Sequence, residues 1–271
     1  MKTPEILFLI AGNGNYPALV IAEARAAGVK KIAMAAFEGE TPDSTAALAD
    51  TVHWMKVGQL GRMLDAARKS GATAAIMAGQ IAPNNLFNLR PDLKALVLLA
   101  QLKRRNAETL FGEIANQLSK VGVELLLATT FLDQHLAAPG LIAGPKLKPR
   151  EIEDLEFGFH IAKESSRLDI GQTVVVKKGT VLAVEAFEGT DECIRRGGAL
   201  GRGKAIMVKV TKPAQDMRFD VPVVGLKTIQ TATEAGLRAI GVEAGQTLLL
   251  NLPEVSAAAG RAGISIYGLT K

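Results

Sequence analysis

Cysteine, histidine and aromatic side chains are scarce in this 271-residue chain, and each scarcity removes a class of function. A single cysteine, Cys193, excludes an intrachain disulfide and suits a reducing compartment, so the cytoplasm is the expected setting. The three histidines, His53, His135 and His160, are far apart in sequence and lack the spacing of a His/Cys zinc site. Aromatic residues make up 4% of the chain, and no basic segment is interleaved with Tyr, Phe or Trp. The stacking platforms of single-strand binders are therefore missing, and nucleic acid is not an expected partner. Long apolar runs are absent too. Nothing approaches the roughly 20 residues that a membrane-spanning helix needs, and Ile6 to Ala11 is too short for a signal-peptide core.

What is present is the balance of a globular protein, 48% hydrophobic and 22% charged, with room for two ordinary domains. A net charge of +5 favours anionic partners. In the first half, apolar strand-like runs alternate with helical patterns: Ile6 to Ala11, Lys31 to Phe37, Val52 to Val57, Ala74 to Ala78 and Val123 to Phe131. Such alternation predicts a parallel sheet covered by helices. A core helix is expected over Asp92 to Arg105, its closing Lys103, Arg104 and Arg105 suited to a helix C-terminus, with a helix lying on an anionic membrane surface as the less favoured reading. The Pro- and Gly-rich HLAAPGLIAGPKLKP breaks every periodicity and reads as a linker. Beyond it come a helix to about Leu168, a β-hairpin turning at Lys178–Gly179, and further strands and helices, with a helix expected over Thr228 to Ile240. The fold class is thus α/β in two domains: a Rossmann-like parallel-sheet domain over residues 1–133, a linker over 134–149, and a mixed α/β domain over 150–271.

Three groups of residues suit the chemistry of a phosphate ester. In KPAQDMRFDVPVVG, Lys212 and Arg218 can neutralise phosphate oxygens, and Gln215 can donate a hydrogen bond. Asp216 and Asp220 can bind a hard cation or accept a proton from water, while Pro213 and Pro222 fix φ on either side. A solvated loop would carry the same charges. In IAGNGNYP, Gly12, Asn13 and Gly14 follow the first strand, where small residues let backbone N–H groups approach a phosphate. Pro17 stands where a dinucleotide fingerprint wants its third glycine, which disfavours a redox enzyme. Gly79 and Gln80 end the fourth strand of that domain and are positioned to share one crevice with Gly12 and Gly14. Finally, RLDIGQTVVVKKGTVLAVEAFEGTDECIRR places Asp169, Gln172, Glu185, Glu188, Thr190 and Asp191 along or at the ends of the hairpin. Strand alternation puts Glu185 on one face with Val181 and Ala183, directed to a cleft or to solvent. Thr190 or Asp191 can also cap the following helix.

Taken together, LIAGNGNYP, MAGQI, RLDIGQ, VLAVEAFEGTD, KPAQDMRFDVPVVG and VEAGQTLLL resemble the LpxI family, UDP-2,3-diacylglucosamine pyrophosphatases of lipid A biosynthesis, over nearly the full chain. The resemblance implies a two-domain hydrolase that yields lipid X and UMP with Mg²⁺ assisting. It places the key catalytic acid on Asp220 and makes Asp191 and Glu188 the next candidates, with Asp220, Asp191 and Glu188 as the metal set. Gln172, Thr190, Lys212, Gln215 and Arg218 become expected contacts to phosphate or sugar. A lipid-linked UDP-sugar substrate further implies peripheral contact with the cytoplasmic face of the inner membrane, and it leaves room for a homodimer. One departure stands out: similar sequences usually carry Gly-Asp-Asp before an Ala-Leu-Leu run, whereas this chain reads Asn106, Ala107 and Glu108 before Thr109, Leu110 and Phe111. A protein that binds the nucleotide sugar or lipid without cleaving it is the alternative.

Overall fold

The computed structural model describes residues 3–81, 91–102, 107–213 and 215–270, with the side chains of residues 101, 107 and 108 outside that description. The expected roles of Lys103, Arg104, Arg105 and the Glu108 carboxylate fall outside the described residues. The chain divides into two compact units, Met1–Leu132 with Asp216–Asp220, and Asp133–Gln215 with Val221–Lys271.

The first unit runs β1 (Ile6–Ala11), α1 (Tyr16–Ala26), β2 (Lys31–Phe37), α2 (Asp43–Ala46), β3 (Thr51–Met55), α3 (Leu60–Ser70), β4 (Ala74–Ala78), α4 (Leu93–Gln101), α5 (Ala107–Lys120) and β5 (Glu124–Leu125). Its strands pair in parallel in the order β3-β2-β1-β4-β5, the Rossmann-like arrangement. The apolar runs of β1, β2 and β4 follow from that position. Phe8, Ile10, Ala33 and Ala35 fill the core on one face, and the alternate residues Leu7, Leu9, Ile32 and Met34 are fully buried as well. A parallel strand covered on both faces has no polar side to show. The strand expected over Val123 to Phe131 shrinks to two paired residues, because its later positions turn into loop. Asp92 starts α4: its carboxylate accepts the N–H of Ala95 at 2.9 Å and that of Gly61 at 2.7 Å, serving the first turns of two helices.

Asp216–Asp220 joins this unit rather than the second, because Phe219 packs against the β1–α5 core. Its ring centroid lies 5.3 Å from that of Phe111, and the carbonyl of Met217 accepts the N–H of Ala128 at 2.8 Å.

The second unit contains β6 (Gly140–Ala143), α6 (Pro149–Arg167), β7 (Thr173–Lys177), β8 (Thr180–Val184), α7 (Thr190–Gly201), β9 (Ile206–Lys209), β10 (Val223–Val224), α8 (Leu226–Glu234), β11 (Ala239–Glu243), β12 (Leu248–Leu249), α9 (Leu252–Ala262) and β13 (Ser265–Leu269). Six strands form a mixed sheet ordered β6-β13-β11-β9-β7-β8, with β13, β11 and β9 parallel and the outer pairings antiparallel. Period-two alternation sends Val175, Met207 and Ile240 to one core and Val174, Val176 and Val208 to another. Two expectations change here. Residues 134–149 carry a short 3₁₀ turn at Asp133–His135 and strand β6, whose backbone pairs with β13. The helix expected to reach Ile240 stops at Glu234; Gly236 takes a φ of 66°, and Ala239 opens β11 in the middle of the sheet.

Candidate functional site

In the first unit, the strand order reverses between β1 and β4, and the two small-residue turns meet at that point. Asn13 and Gln80 form an antiparallel backbone bridge, the N–H of Asn13 donating to the Gln80 carbonyl at 2.7 Å and that of Gln80 to the Asn13 carbonyl at 3.1 Å. The N–H of Gly12 donates to Ala78 at 2.8 Å, and that of Gly14 to the Asn13 side chain at 2.6 Å. Glycine is required for a reason the sequence did not reveal. A Cβ on Gly12 would stand 2.5 Å from the Gln80 carbonyl oxygen, and one on Gly79, whose φ is 93°, would stand 2.7 Å from that of Asn13. The two backbones are in contact with each other, so the N–H groups of Gly12, Asn13, Gly14 and Gln80 are engaged within the protein. Beneath this crossing, Tyr16 is buried and donates its hydroxyl to the Ala128 carbonyl, and burial pushes the phenol pKa well up.

Asp216–Asp220 presents its two carboxylates differently. Asp216 accepts a forked pair of hydrogen bonds from Arg218, through Nε at 2.9 Å and Nη2 at 2.6 Å. The Arg218 fork holds the Asp216 carboxyl below the usual range, and Arg218 itself is held higher by its partner. Arg218 thus commits two of its N–H groups, on Nε and Nη2, to Asp216. Asp220 is exposed, and its N–H donates to the Asp216 carbonyl at 3.0 Å.

In the second unit the expected residues collect where β7 begins and β8 and β9 end. Thr190, at the first turn of α7, donates its hydroxyl to Glu185 Oε1 at 2.8 Å and accepts from Lys209 Nζ at 3.3 Å. Glu185, which strand parity left facing either a cleft or solvent, is 9% exposed and its Oε2 has no hydrogen-bond partner. Gln172 stands one residue before β7, its Oε1 likewise buried without a partner. Glu188 is ion-paired with Arg196 and accepts the N–H of Ala186 at 3.1 Å; its own backbone N–H and then Arg196 hold its carboxyl below the usual range. Asp191 pairs with Lys227 at 2.7 Å, and Lys212 with Asp169 at 2.6 Å. Gln215 Oε1 accepts the N–H of Lys212 at 2.7 Å, leaving Nε2 buried and unpartnered. Deeper in the same unit, Glu243 accepts from Lys163 at 2.6 Å and from the backbone N–H of Thr211 at 2.9 Å, immediately before Lys212.

Of the expected metal set, Glu188 and Asp191 share the loop and first turn of α7 but each is spent on its own cation, while Asp220 belongs to the other unit. Among the described residues, no group of three His, Cys, Asp or Glu is gathered so as to hold a metal ion. The donors as placed do not fit a preformed all-protein cage for Mg²⁺.

Chemically, the second unit offers cations, buried amides and orphan acceptors at one end of its sheet, the inventory of a site for a polar, charged ester. Among the described residues, no helix is long and apolar enough to cross a membrane.

Comparison with known proteins agrees with this two-part construction. The profile described as the LpxI N-terminal domain matches residues 7–135, and that of the LpxI C-terminal domain matches residues 138–267. A Caulobacter vibrioides protein named UDP-2,3-diacylglucosamine pyrophosphatase LpxI is 32% identical over 97% of this chain and 97% of its own length. Among solved structures, the biotin carboxylase domain of Hydrogenobacter thermophilus 2-oxoglutarate carboxylase is 17% identical, covering 66% of this chain and 36% of that one, with a TM-score of 0.28. The biotin carboxylase subunit of a pyruvate carboxylase is 16% identical over 62% and 34%, with a TM-score of 0.26. Scores that low carry no structural argument. The two profiles and the full-length relative do: this chain belongs to the LpxI family.

Proposed function

We propose that this protein hydrolyses the pyrophosphate bond of UDP-2,3-diacylglucosamine, releasing 2,3-diacylglucosamine 1-phosphate (lipid X) and UMP in lipid A biosynthesis. The observation that carries the reading is the match to a relative named for that activity, which covers 97% of this chain and 97% of the relative. The polar and charged inventory of the second unit suits it. Water attacks the phosphorus bonded to the sugar 1-oxygen, the bond from that phosphorus to the bridging oxygen breaks, and UMP leaves. Asp220, the acid that the family resemblance points to, is the carboxylate proposed to orient that water and take its proton. Lys212, Lys209 and the Gln215 amide are the second unit's donors for phosphate oxygens, with Thr190 and Gln172 beside them.

Mg²⁺ assistance belongs to this proposal with a restriction. Because the carboxylates present no preformed cage, the cation is proposed to arrive on the substrate diphosphate, a mode in which one or two protein carboxylates suffice. Its contribution when bound would be charge neutralisation on the diphosphate. Peripheral contact with the inner membrane is proposed through apolar loop tips of the second unit, where Phe187 is fully exposed and Leu168 and Ile170 are more than half or half exposed.

The test is release of UMP from UDP-2,3-diacylglucosamine by the purified protein in Mg²⁺ and in EDTA, run in ¹⁸O-water. Metal-dependent UMP with the label in lipid X is the expected result. Tight binding of intact substrate with no turnover in any divalent metal would replace hydrolysis with the binding-protein alternative.

A further inference from the structure

Glu185 is built into the second unit more firmly than an ordinary strand-end residue. Its N–H donates to the Thr173 carbonyl at 2.8 Å, continuing the β7–β8 ladder by one step. The chain at Gly171 packs so closely on it that a Cβ there would stand 2.0 Å from the Glu185 carbonyl oxygen. Its side chain is held by the Thr190 hydroxyl on Oε1, and Lys209 Nζ approaches the same hydroxyl. Backbone and one carboxylate oxygen are therefore both fixed, while Oε2 stays buried with no protein partner. A buried acceptor left without a donor costs stability, and one kept in a well-packed fold marks a place where a donor from outside the chain, a ligand or a water, completes the bond. Gln172 Oε1, on the segment joined to Glu185 through Thr173, is a second buried acceptor in the same state. Two orphan acceptors ask for a ligand rich in donors.

We propose that Glu185 is a substrate-binding residue whose Oε2 accepts a hydrogen bond from a hydroxyl or amide N–H of the substrate. The inference rests on the function proposed above and adds a specificity contact to it. Donors of this kind occur on both halves of a UDP-linked acylglucosamine, the sugar hydroxyls and acyl amide on one side and the ribose hydroxyls and uracil N–H on the other. A carboxylate at this position favours either over a bare phosphate, which brings acceptors only.

The discriminating variant is Glu185→Gln. It keeps the shape and an oxygen for Thr190, and it replaces the free acceptor with an amide donor. The expected result is a rise in KM of between about tenfold and a hundredfold, with kcat within about twofold of wild type and an unchanged Tm. Titration of UMP and of 2,3-diacylglucosamine 1-phosphate separately locates the contact, because only the product carrying the donor should lose affinity. Wild-type-like KM and wild-type-like binding of both products by E185Q would overturn the proposal. So would a large fall in Tm, which would show that the carboxylate serves the fold. Absence of turnover in the wild-type control would instead sink the hydrolase reading, and the two product titrations would still judge Glu185.

Discussion

At the scale of single residues, Asp216 and Asp220 differ in their surroundings. Both belong to one turn, yet the Arg218 fork lowers the proton affinity of Asp216 and occupies its oxygens, whereas Asp220 is exposed at the turn's end. Replacing Asp220 by Ala is expected to lower kcat by about 10²-fold or more with a smaller change in KM, measured by UMP release. Wild-type turnover would remove Asp220 from the mechanism. The glycines carry a lesson of the same scale. Gly12 and Gly79 were legible as a turn at the ends of two strands, but their purpose was read as room for a phosphate. The structure gives the room to the opposing backbone, because a clash across the Asn13–Gln80 bridge depends on which strands are neighbours.

At the scale of elements, the stem that leads into Asp216–Asp220 is held by a charge cluster joining α6, β11 and the chain after β9. Burial pushes the Glu243 carboxyl up, but Lys163 and the hydroxyl and amide of Thr211 outweigh it and hold the group below its ordinary range. A depressed carboxylate stabilises the fold above its unfolded pKa and loses that contribution as pH falls through the folded one. Acid unfolding should therefore begin earlier in a Glu243→Ala variant. At neutral pH the variant is expected to lose about 3 kcal/mol in a denaturant titration, because Lys163 would be left partly buried without its partner. An unchanged midpoint would show that the cluster contributes nothing net. Elements were also where sequence reading erred in an informative way. Thr228 to Ile240 reads as one helix since its apolar spacing continues past Glu234. The break rests on Gly236 in a left-handed conformation, after which the chain must extend to fill the slot between β9 and β13. Likewise β6 lies in a segment whose prolines and glycines suggest a linker, and only the edge of β13 gives it a partner.

At the scale of the whole molecule, the chain passes from the second unit into the first for Asp216–Asp220 and returns, so a boundary drawn once along the sequence does not describe the division. Phe219 explains the excursion, since an aromatic ring beside Asp220 gains more from the β1–α5 core than from solvent. The exposed loop tip at Phe187 belongs to this scale as well. If the protein works on a lipid at a membrane, Phe187→Ser is expected to cut sedimentation with anionic liposomes at low salt about tenfold, the worth of burying one aromatic side chain. Equal sedimentation of the variant and the wild type, or none of either, would remove the loop from membrane binding.

Local sequence carried a large part of this outcome. The alternating apolar runs dictated a parallel sheet in the first half and a hairpin in the second, because side-chain periodicity is a property of neighbours along the chain. The motif around Asp220 and the EGTD turn marked the acidic residues for the same reason. The pairing of those acids lay beyond the sequence. Arg196 for Glu188, Lys227 for Asp191 and the Arg218 fork on Asp216 appear only once the chain has folded, as does the burial that leaves Glu185 Oε2 without a donor. Charge and hydrogen bonding act through space over a few ångströms, and which residues come that close is set by strand order and packing, not by distance along the chain.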